Sequence, residues 1–323
     1  MEFRELGKSG IRVSAIGLGT WQWGSREWGW GHLYGRKELH DAIDKAIEMG
    51  INLIDTAEVY GGGRSEQIIG EAMRGHREHF VIATKAWPLN VTPRRLRKAA
   101  DRSLKRLGID TIDLYQVHWP NPLVPIRKTM KAMRELVREG KVRCVGVSNF
   151  NLKRMAASQH ALVPLELTSN QVRYNILDRR IEADLLPNAQ REKITIIAYS
   201  PLAQALLTGK YTAEHRPHSF VQRINPKFSP SNLTRLGELN QVLREISQAH
   251  GKTPSQVALN WLITKENVIA IPGVKGPQHV IDMAGAMDWR LSDDQARRIE
   301  IAAAQVRFNK ISGITSALRA LTP

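Results

Sequence analysis

Short runs of apolar, mostly β-branched residues recur along the chain at 15–18, 52–54, 80–84, 111–117, 142–147, 167–171, 195–199 and 268–271. Between them apolar residues return at helical spacing, as in Ala42, Ile43, Ala46, Ile47 and Met49, or Met130, Met133, Leu136 and Val137. The runs are continuous rather than alternating, which marks strands covered on both faces by helices, the condition of a parallel sheet. Eight strands alternating with amphipathic helices predict an α/β fold, a (β/α)8 TIM barrel, in preference to an open doubly wound sheet. Two further extended runs, 3–6 and 11–14, joined at Ser9-Gly10, predict an N-terminal β-hairpin. Thr92-Pro93 is a helix start, with the hydroxyl as cap and proline in the first helical position; Gly50, Gly108 and Gly140 stand where helices should stop. No linker or low-complexity stretch divides the chain, so residues 1–323 are expected to form one barrel domain. The longest departure, 200–233 after the seventh strand, carries Pro201, Pro217, Pro226 and Pro230 and is expected to be a long functional loop.

Composition narrows the picture. With 42% apolar and 24% charged residues the chain reads as soluble and globular, which excludes disordered, collagen-like and coiled-coil classes. No stretch reaches the roughly 18 to 20 apolar residues of a membrane helix, and Glu2, Arg4 and Glu5 interrupt any secretory signal, so no membrane partner is expected. The single cysteine, Cys144, cannot form an internal disulfide, and a cytoplasmic location is expected. The charge is less ordinary: 47 Lys and Arg against 31 Asp and Glu give +16. Much of the excess surrounds an apolar stripe of Leu96, Ala100, Leu104 and Leu107, a pattern that a solvated helix face explains without a partner. No nucleic-acid-binding module accompanies it, so no specific nucleic-acid partner is expected.

In an α/β barrel the active site lies at the C-terminal ends of the strands. The predicted strands end in, or lead directly to, Asp55 with Tyr60 one turn later, Lys85, His118, Ser148-Asn149, Gln171 and Tyr199-Ser200. A carboxylate, a phenol, an amine and an imidazole delivered to one rim make an acid/base set. Tyr60 is the natural proton donor. A free phenol titrates near 10; a neighbouring Lys85 is expected to draw it toward 7 or 8, which asks for roughly 3 to 4 kcal/mol of preferential stabilisation of the phenolate. Asp55 would keep Lys85 charged and oriented, and His118 would hydrogen-bond the reacting oxygen. Gly17 and Gly19 lack the third glycine of a dinucleotide fingerprint, Gln22 standing in its place. Gly61-Gly62-Gly63 has neither the spacing nor the lysine of a Walker loop and reads as a tight turn beside Tyr60. His76 and His79, and His215 and His218, lack metal-site context, so no metal is expected.

The chain resembles the aldo-keto reductases related to potassium-channel β-subunits over nearly its whole length. The stretches carrying the resemblance are GLGTW at 17–21, GINLIDTAEVYGGGRSEQIIG at 50–70, ATK at 83–85, DLYQVHWP at 113–120, GVSNF at 146–150, QVRYN at 171–175, AYSPLAQALLTGKY at 198–211 and IPGVK at 271–275. The resemblance implies a barrel closed at its bottom by the hairpin and an enzyme that transfers hydride from NADPH to the carbonyl of an aldehyde or ketone. It places the catalytic tetrad on Asp55, Tyr60, Lys85 and His118. It implies that Tyr199 stacks on the nicotinamide, that Ser148, Asn149 and Gln171 hold its carboxamide side, and that Ser200, Pro201, Leu202, Ala203, Gln204 and Lys210 cover the diphosphate. Thr20, Trp21 and Gly273 complete the implied cofactor set. Lys275 meets the 2′-phosphate, while His279, Asp282 and Met283 replace the family's usual Gln and Glu-Asn at the adenosine end; NADPH is thus favoured and NADH not strictly excluded. The family also contains auxiliary subunits with slow turnover, the alternative reading.

Six of the eight tryptophans fall near the expected mouth: Trp21, Trp23, Trp28 and Trp30 after strand 1, Trp87 beyond Lys85, and Trp119 beyond His118. They predict an apolar or aromatic-walled pocket for a small carbonyl substrate, with Trp21, Trp87 and Trp119, beside Tyr60 and His118, as its walls.

Overall fold

In the computed structural model, which describes residues 1–217 and 219–309, strands and helices alternate as the apolar runs predict. His218 and the last fourteen residues of the expected domain lie outside the described residues. The hairpin β1 (Phe3–Glu5) and β2 (Arg12–Ser14) is antiparallel. It precedes eight strands: β3 (Leu18–Gly19), β4 (Leu53–Asp55), β5 (Val81–Ala86), β6 (Ile112–Val117), β7 (Val142–Ser148), β8 (Leu167–Arg173), β9 (Thr195–Tyr199) and β10 (Val268–Ile271). These pair in sequence order, each parallel to the next. The ring closes where Ile16 and Gly19 bridge Ala270 and Gly273, with the Gly17 amide donating to Ala270 (2.9 Å) and the Gly19 amide to Pro272 (2.8 Å). The fold is therefore the predicted TIM barrel.

Continuous apolar runs do not abolish the two-residue alternation of a strand; they let both faces bury. Ile54, Ile82, Ile112, Tyr115, Val117, Val145, Ile196 and Ala270 join the core between barrel and helices. Their neighbours Leu53, Val81, Ala83, Leu114, Cys144, Ile197 and Ile269 point inward and pack on Leu6, Ile11 and Val13 of the hairpin segment. The hairpin thus plugs the bottom of the barrel with apolar side chains. Climbing the same inward rows by twos gives Asp55, Lys85, Gln116 and His118, so the interior changes from apolar floor to polar mouth within about two residues of each strand, roughly 7 Å.

One local expectation is corrected and one is refined. Helix Pro93–Leu107 begins after Thr92, but the threonine hydroxyl makes no cap hydrogen bond; proline's fixed φ at the first position starts the helix instead. The segment 200–233 is not an open loop. It holds 3-10 turns at Ala203–Thr208 and Pro226–Phe228 and short helices at Phe220–Arg223 and Pro230–Thr234, anchored by buried Leu206, Leu207, Phe228 and Leu233. Pro226 and Pro230, taken as loop formers, start helical turns, where a missing N–H costs nothing.

Candidate active site

Lys85 sits at the centre of the mouth. Fully buried, its Nζ donates to Asp55 Oδ1 at 2.6 Å and to the Thr56 carbonyl at 2.7 Å, and stands 3.3 Å from the Tyr60 phenol oxygen. Asp55 is held from its other side by Gln171 Nε2 at 2.7 Å and Gln116 Nε2 at 3.4 Å. A buried ion pair with this many hydrogen bonds is tied down in one geometry. Tyr60 stands one turn past β4, and the chain leaves it through Gly61, Gly62 and Gly63, all with positive φ; a Cβ on Gly61 would come 2.7 Å from the Trp23 carbonyl. Only glycine lets the chain double back there.

Burial alone would push the Lys85 ammonium down, but the charge of Asp55 and the contact with Tyr60 reverse this and hold it above its ordinary value. For Tyr60, burial pushes the phenol up, Lys85 offsets only part of the rise, and Asp55 adds to it. This corrects the expectation of a phenol drawn toward neutrality: the ammonium's charge is already shared with Asp55, so Tyr60 is protonated at pH 7. His118 is buried, and burial followed by the charge of Lys85 pulls its imidazole down to about 3. It is neutral at physiological pH. Its Nδ1 is buried without a hydrogen-bond partner, and its ring meets those of Tyr60 and Trp87 edge-on at 5.7 and 5.5 Å.

Beside this set Ser148, Asn149, Gln171 and Tyr199 form one network. Ser148 donates to the Gln171 carbonyl (2.9 Å), Asn149 Nδ2 to Ser148 Oγ (3.0 Å) and the His118 carbonyl (3.1 Å), and the Tyr199 hydroxyl to Asn149 Oδ1 (3.0 Å). Thr20 is buried, donating to the Asp55 carbonyl, so its side chain braces the site from beneath. Beyond Tyr199, Ser200, Ala203, Gln204 and Ala205 all take left-handed conformations without being glycine. Such strain, on the order of 1 kcal/mol per residue, persists only where the surroundings enforce it; here Gln222 and Asn225 donate to the Gln204 carbonyl and side-chain oxygen at 2.8 and 2.7 Å. Pro201 and Leu202 turn the chain into this segment, Pro201 buried and Leu202 half-buried.

Lys275 is half-buried. Its ammonium donates to the Trp28 carbonyl at 2.8 Å and lies over the rings of Trp28 and Tyr34 at 5.6 and 5.4 Å. Burial and then the like charge of exposed Lys210 push it down; His279 is also pushed down, by burial first, with Asp282 opposing and both lysines adding, so three basic groups and one carboxylate share this corner. Asp282 lies one helical turn from Gln278, which donates to it at 3.0 Å. Gly273 lies under the Gln22 amide, which a Cβ would meet at 2.1 Å.

The tryptophans divide. Trp21 and Trp119 are each 45% exposed and Trp87 is half-buried against His118. Trp23 is a core residue, fully buried and donating to the Val274 carbonyl, while Trp28 is buried and Trp30 packs on Tyr34. The three tryptophans expected to wall the pocket are thus the accessible ones, while the other three pack the loop, because a loop returning over the barrel top must bury its own underside. Sequence reasoning also missed three supports. Gln116 was identifiable as the inward residue two before His118. The Thr56 carbonyl was not, and neither was buried Glu58, which accepts from the Trp87 amide (2.6 Å) and Asn90 (2.9 Å). Away from the mouth, exposed His76, Glu78 and His79 bring ligand atoms within 4.8 Å of one another, a proximity the spacing did not predict.

The model of the Aldo/keto reductase family matches residues 15–304. The chain belongs to the aldo-keto reductase family. An uncharacterized oxidoreductase of Mycobacterium tuberculosis is 41% identical over 296 residues, covering 92% of this chain and 91% of the relative. An NADH-specific methylglyoxal reductase of Escherichia coli is 34% identical, covering 90% and 95%. The crystal structure of an aldo-keto reductase from Klebsiella pneumoniae in complex with NADPH is 31% identical, with a TM-score of 0.74 over 93% of this chain and 95% of that one. Like its oxidoreductase relatives, this aldo-keto reductase is an enzyme of NAD(P)H-dependent oxidoreduction.

Proposed function

We propose that this chain reduces the carbonyl of a small aldehyde or ketone, with Tyr60 as the acid, and runs in reverse as an alcohol oxidant. The observation that carries the reading is Lys85, bonded to Asp55 and in contact with Tyr60, beside a neutral His118 with an unpartnered nitrogen. The residues fit a nicotinamide dinucleotide. Lys210, Lys275 and His279 converge on one another, and neither lysine is paired with a carboxylate among the described residues, a donor set suited to phosphate. Tyr199 offers a half-buried ring and Ser148, Asn149 and Gln171 a polar edge for the carboxamide. Ser200 to Gln204 with Lys210 would cover the diphosphate, Trp21 and Gly273 would border the cofactor with Thr20 supporting from beneath, and His279 and Asp282 would face the adenosine. When bound, NADPH supplies the hydride.

This chain's residues do the rest. Trp21, Trp87 and Trp119 wall the substrate and exclude water; the neutral imidazole of His118 hydrogen-bonds the carbonyl oxygen; Tyr60, protonated at neutral pH, gives its proton to that oxygen as negative charge develops there. Lys85 then stabilises the phenolate, and Asp55 keeps Lys85 in place. Lys275 favours NADPH, and NADH is a second cofactor, in keeping with relatives that use either one. An auxiliary subunit kin to the channel β-subunits would need only the cofactor pocket; the assembled acid/base set supports turnover.

NADPH oxidation against 4-nitrobenzaldehyde, methylglyoxal and pyridoxal tests the reading, together with Tyr60→Phe. The variant should keep cofactor affinity and lose about 100- to 10,000-fold in reduction, the usual contribution of a positioned acid. Lost cofactor binding with intact chemistry would overturn the assignment.

A further inference from the structure

Between residues 93 and 162 stand sixteen Lys and Arg against five Asp and Glu, a net +11 of the chain's +16. This stretch supplies three helices, Pro93–Leu107, Ile126–Arg138 and Leu152–Leu162, which pack side by side on one wall of the barrel. Each opens on an apolar residue or proline followed by two exposed cations, Arg94-Arg95, Arg127-Lys128 and Lys153-Arg154, and none has an acidic residue in its first turn. Cations there oppose the helix dipole, so helix stability does not account for them. Farther along the first helix Arg97, Arg102 and Arg106 pair with carboxylates. The six first-turn cations have none within ion-pair distance among the described residues.

The same edge exposes apolar side chains. Leu89 is 64% and Leu123 89% exposed, in the loops that lead into the first two helices. Asn121 ties the two loops together by donating to the Pro88 carbonyl at 2.8 Å, and Arg95 reaches the Leu89 carbonyl at 3.2 Å. A solvated helix face explains one such helix. It does not explain three adjacent ones, two of them entered by loops that expose a leucine.

We propose that this edge docks on an anionic lipid bilayer, the cations meeting headgroups and Leu89 and Leu123 entering the acyl boundary. A nucleic-acid backbone would satisfy the cations but leave both leucines in water. No helix among the described residues is long and apolar enough to cross a membrane, so the contact is peripheral. The proposal is independent of the reaction assigned to the site.

Co-sedimentation of the full chain with vesicles of phosphatidylcholine alone, or with 30% phosphatidylglycerol, tests it. Binding is expected only to the anionic vesicles at 50 mM salt and should fall steeply at 500 mM. At about fivefold per cation, R94Q/R95Q/R127Q/K128Q should lose at least about 100-fold in partitioning. L89S/L123S, which keeps every charge, should lose about tenfold or more. The control R235Q/R244Q, at exposed positions elsewhere, should bind as wild type. Near-UV circular dichroism checks the fold of each variant; should the quadruple variant misfold, the leucine pair and the salt step decide. Failure to bind anionic vesicles, or equal binding to both kinds, overturns the proposal. So does tighter capture of duplex DNA that L89S/L123S leaves intact, which would assign the face to nucleic acid.

Discussion

Tyr60 and His118 show how much a site depends on desolvation. His118 was identifiable as a residue just past a strand end and Tyr60 as one a turn beyond Asp55, yet their protonation states follow from burial and from the distance to Lys85. Because burial holds the phenol above its ordinary value and draws the imidazole down to about 3, both groups are in their neutral forms across the physiological range. With Tyr60 as the proposed acid, carbonyl reduction should therefore show kcat/KM flat between pH 5 and 8, with no inflection near the ordinary histidine value. Alcohol oxidation, which needs the phenol to accept a proton, should rise about tenfold per pH unit to at least pH 9. Initial rates in both directions check this; an inflection between 6 and 7 in reduction would show that His118 acts as imidazolium. Sequence spacing brought the four residues to one rim but could not weigh these opposing effects, since Lys85 and Tyr60 are linked through space and through Asp55.

At the scale of elements, the proposed reading gives cofactor choice to the segments after β9 and β10. Lys275 follows β10, and its ammonium is already oriented by the Trp28 carbonyl. A charge-assisted contact to a 2′-phosphate is worth roughly 1.5 to 3 kcal/mol, or about 10- to 150-fold in affinity. Lys275→Ala should weaken NADPH by that order and leave NADH nearly unchanged, as read by dissociation constants for both. An equal loss would mean that Lys275 chiefly holds the Trp28 loop. Helix packing gives a second prediction. A Cβ on Gly70, in helix Arg64–Ala72, would come 2.5 Å from the Leu107 carbonyl at the end of Pro93–Leu107. Backbone cannot yield as a side-chain tip can, so Gly70→Ala should destabilise by about 1 to 3 kcal/mol despite alanine's better helix propensity. Denaturant unfolding measures it. The sequence marks Gly70 only as a glycine inside a helical pattern; the neighbour that requires it is 37 positions away.

For the whole molecule, the barrel floor carries the stability argument. Cys144 lines that floor with Leu6, Ile11 and Val13, and burial pushes its thiol up. It should resist a thiol reagent such as DTNB in the native state and react fully once unfolded; rapid native labelling would show that the hairpin plug opens. Leu6→Ala, at a fully buried position, should cost about 2 to 5 kcal/mol and speed that labelling.

What the sequence by itself determined is what local periodicity carries: the order of strands and helices, the hairpin, and the rim positions Asp55, Lys85, His118, Ser148, Gln171 and Tyr199. Apolar runs and their ends need only neighbours along the chain to be recognised. The rest was decided by tertiary structure. Ring closure joins Gly19 to Gly273, three of the four tryptophans of the first loop pack into the protein while Trp21 stays exposed, and three successive helices place their cations on one wall. Each of these depends on distances and desolvation between residues remote in the chain, which no spacing along it encodes.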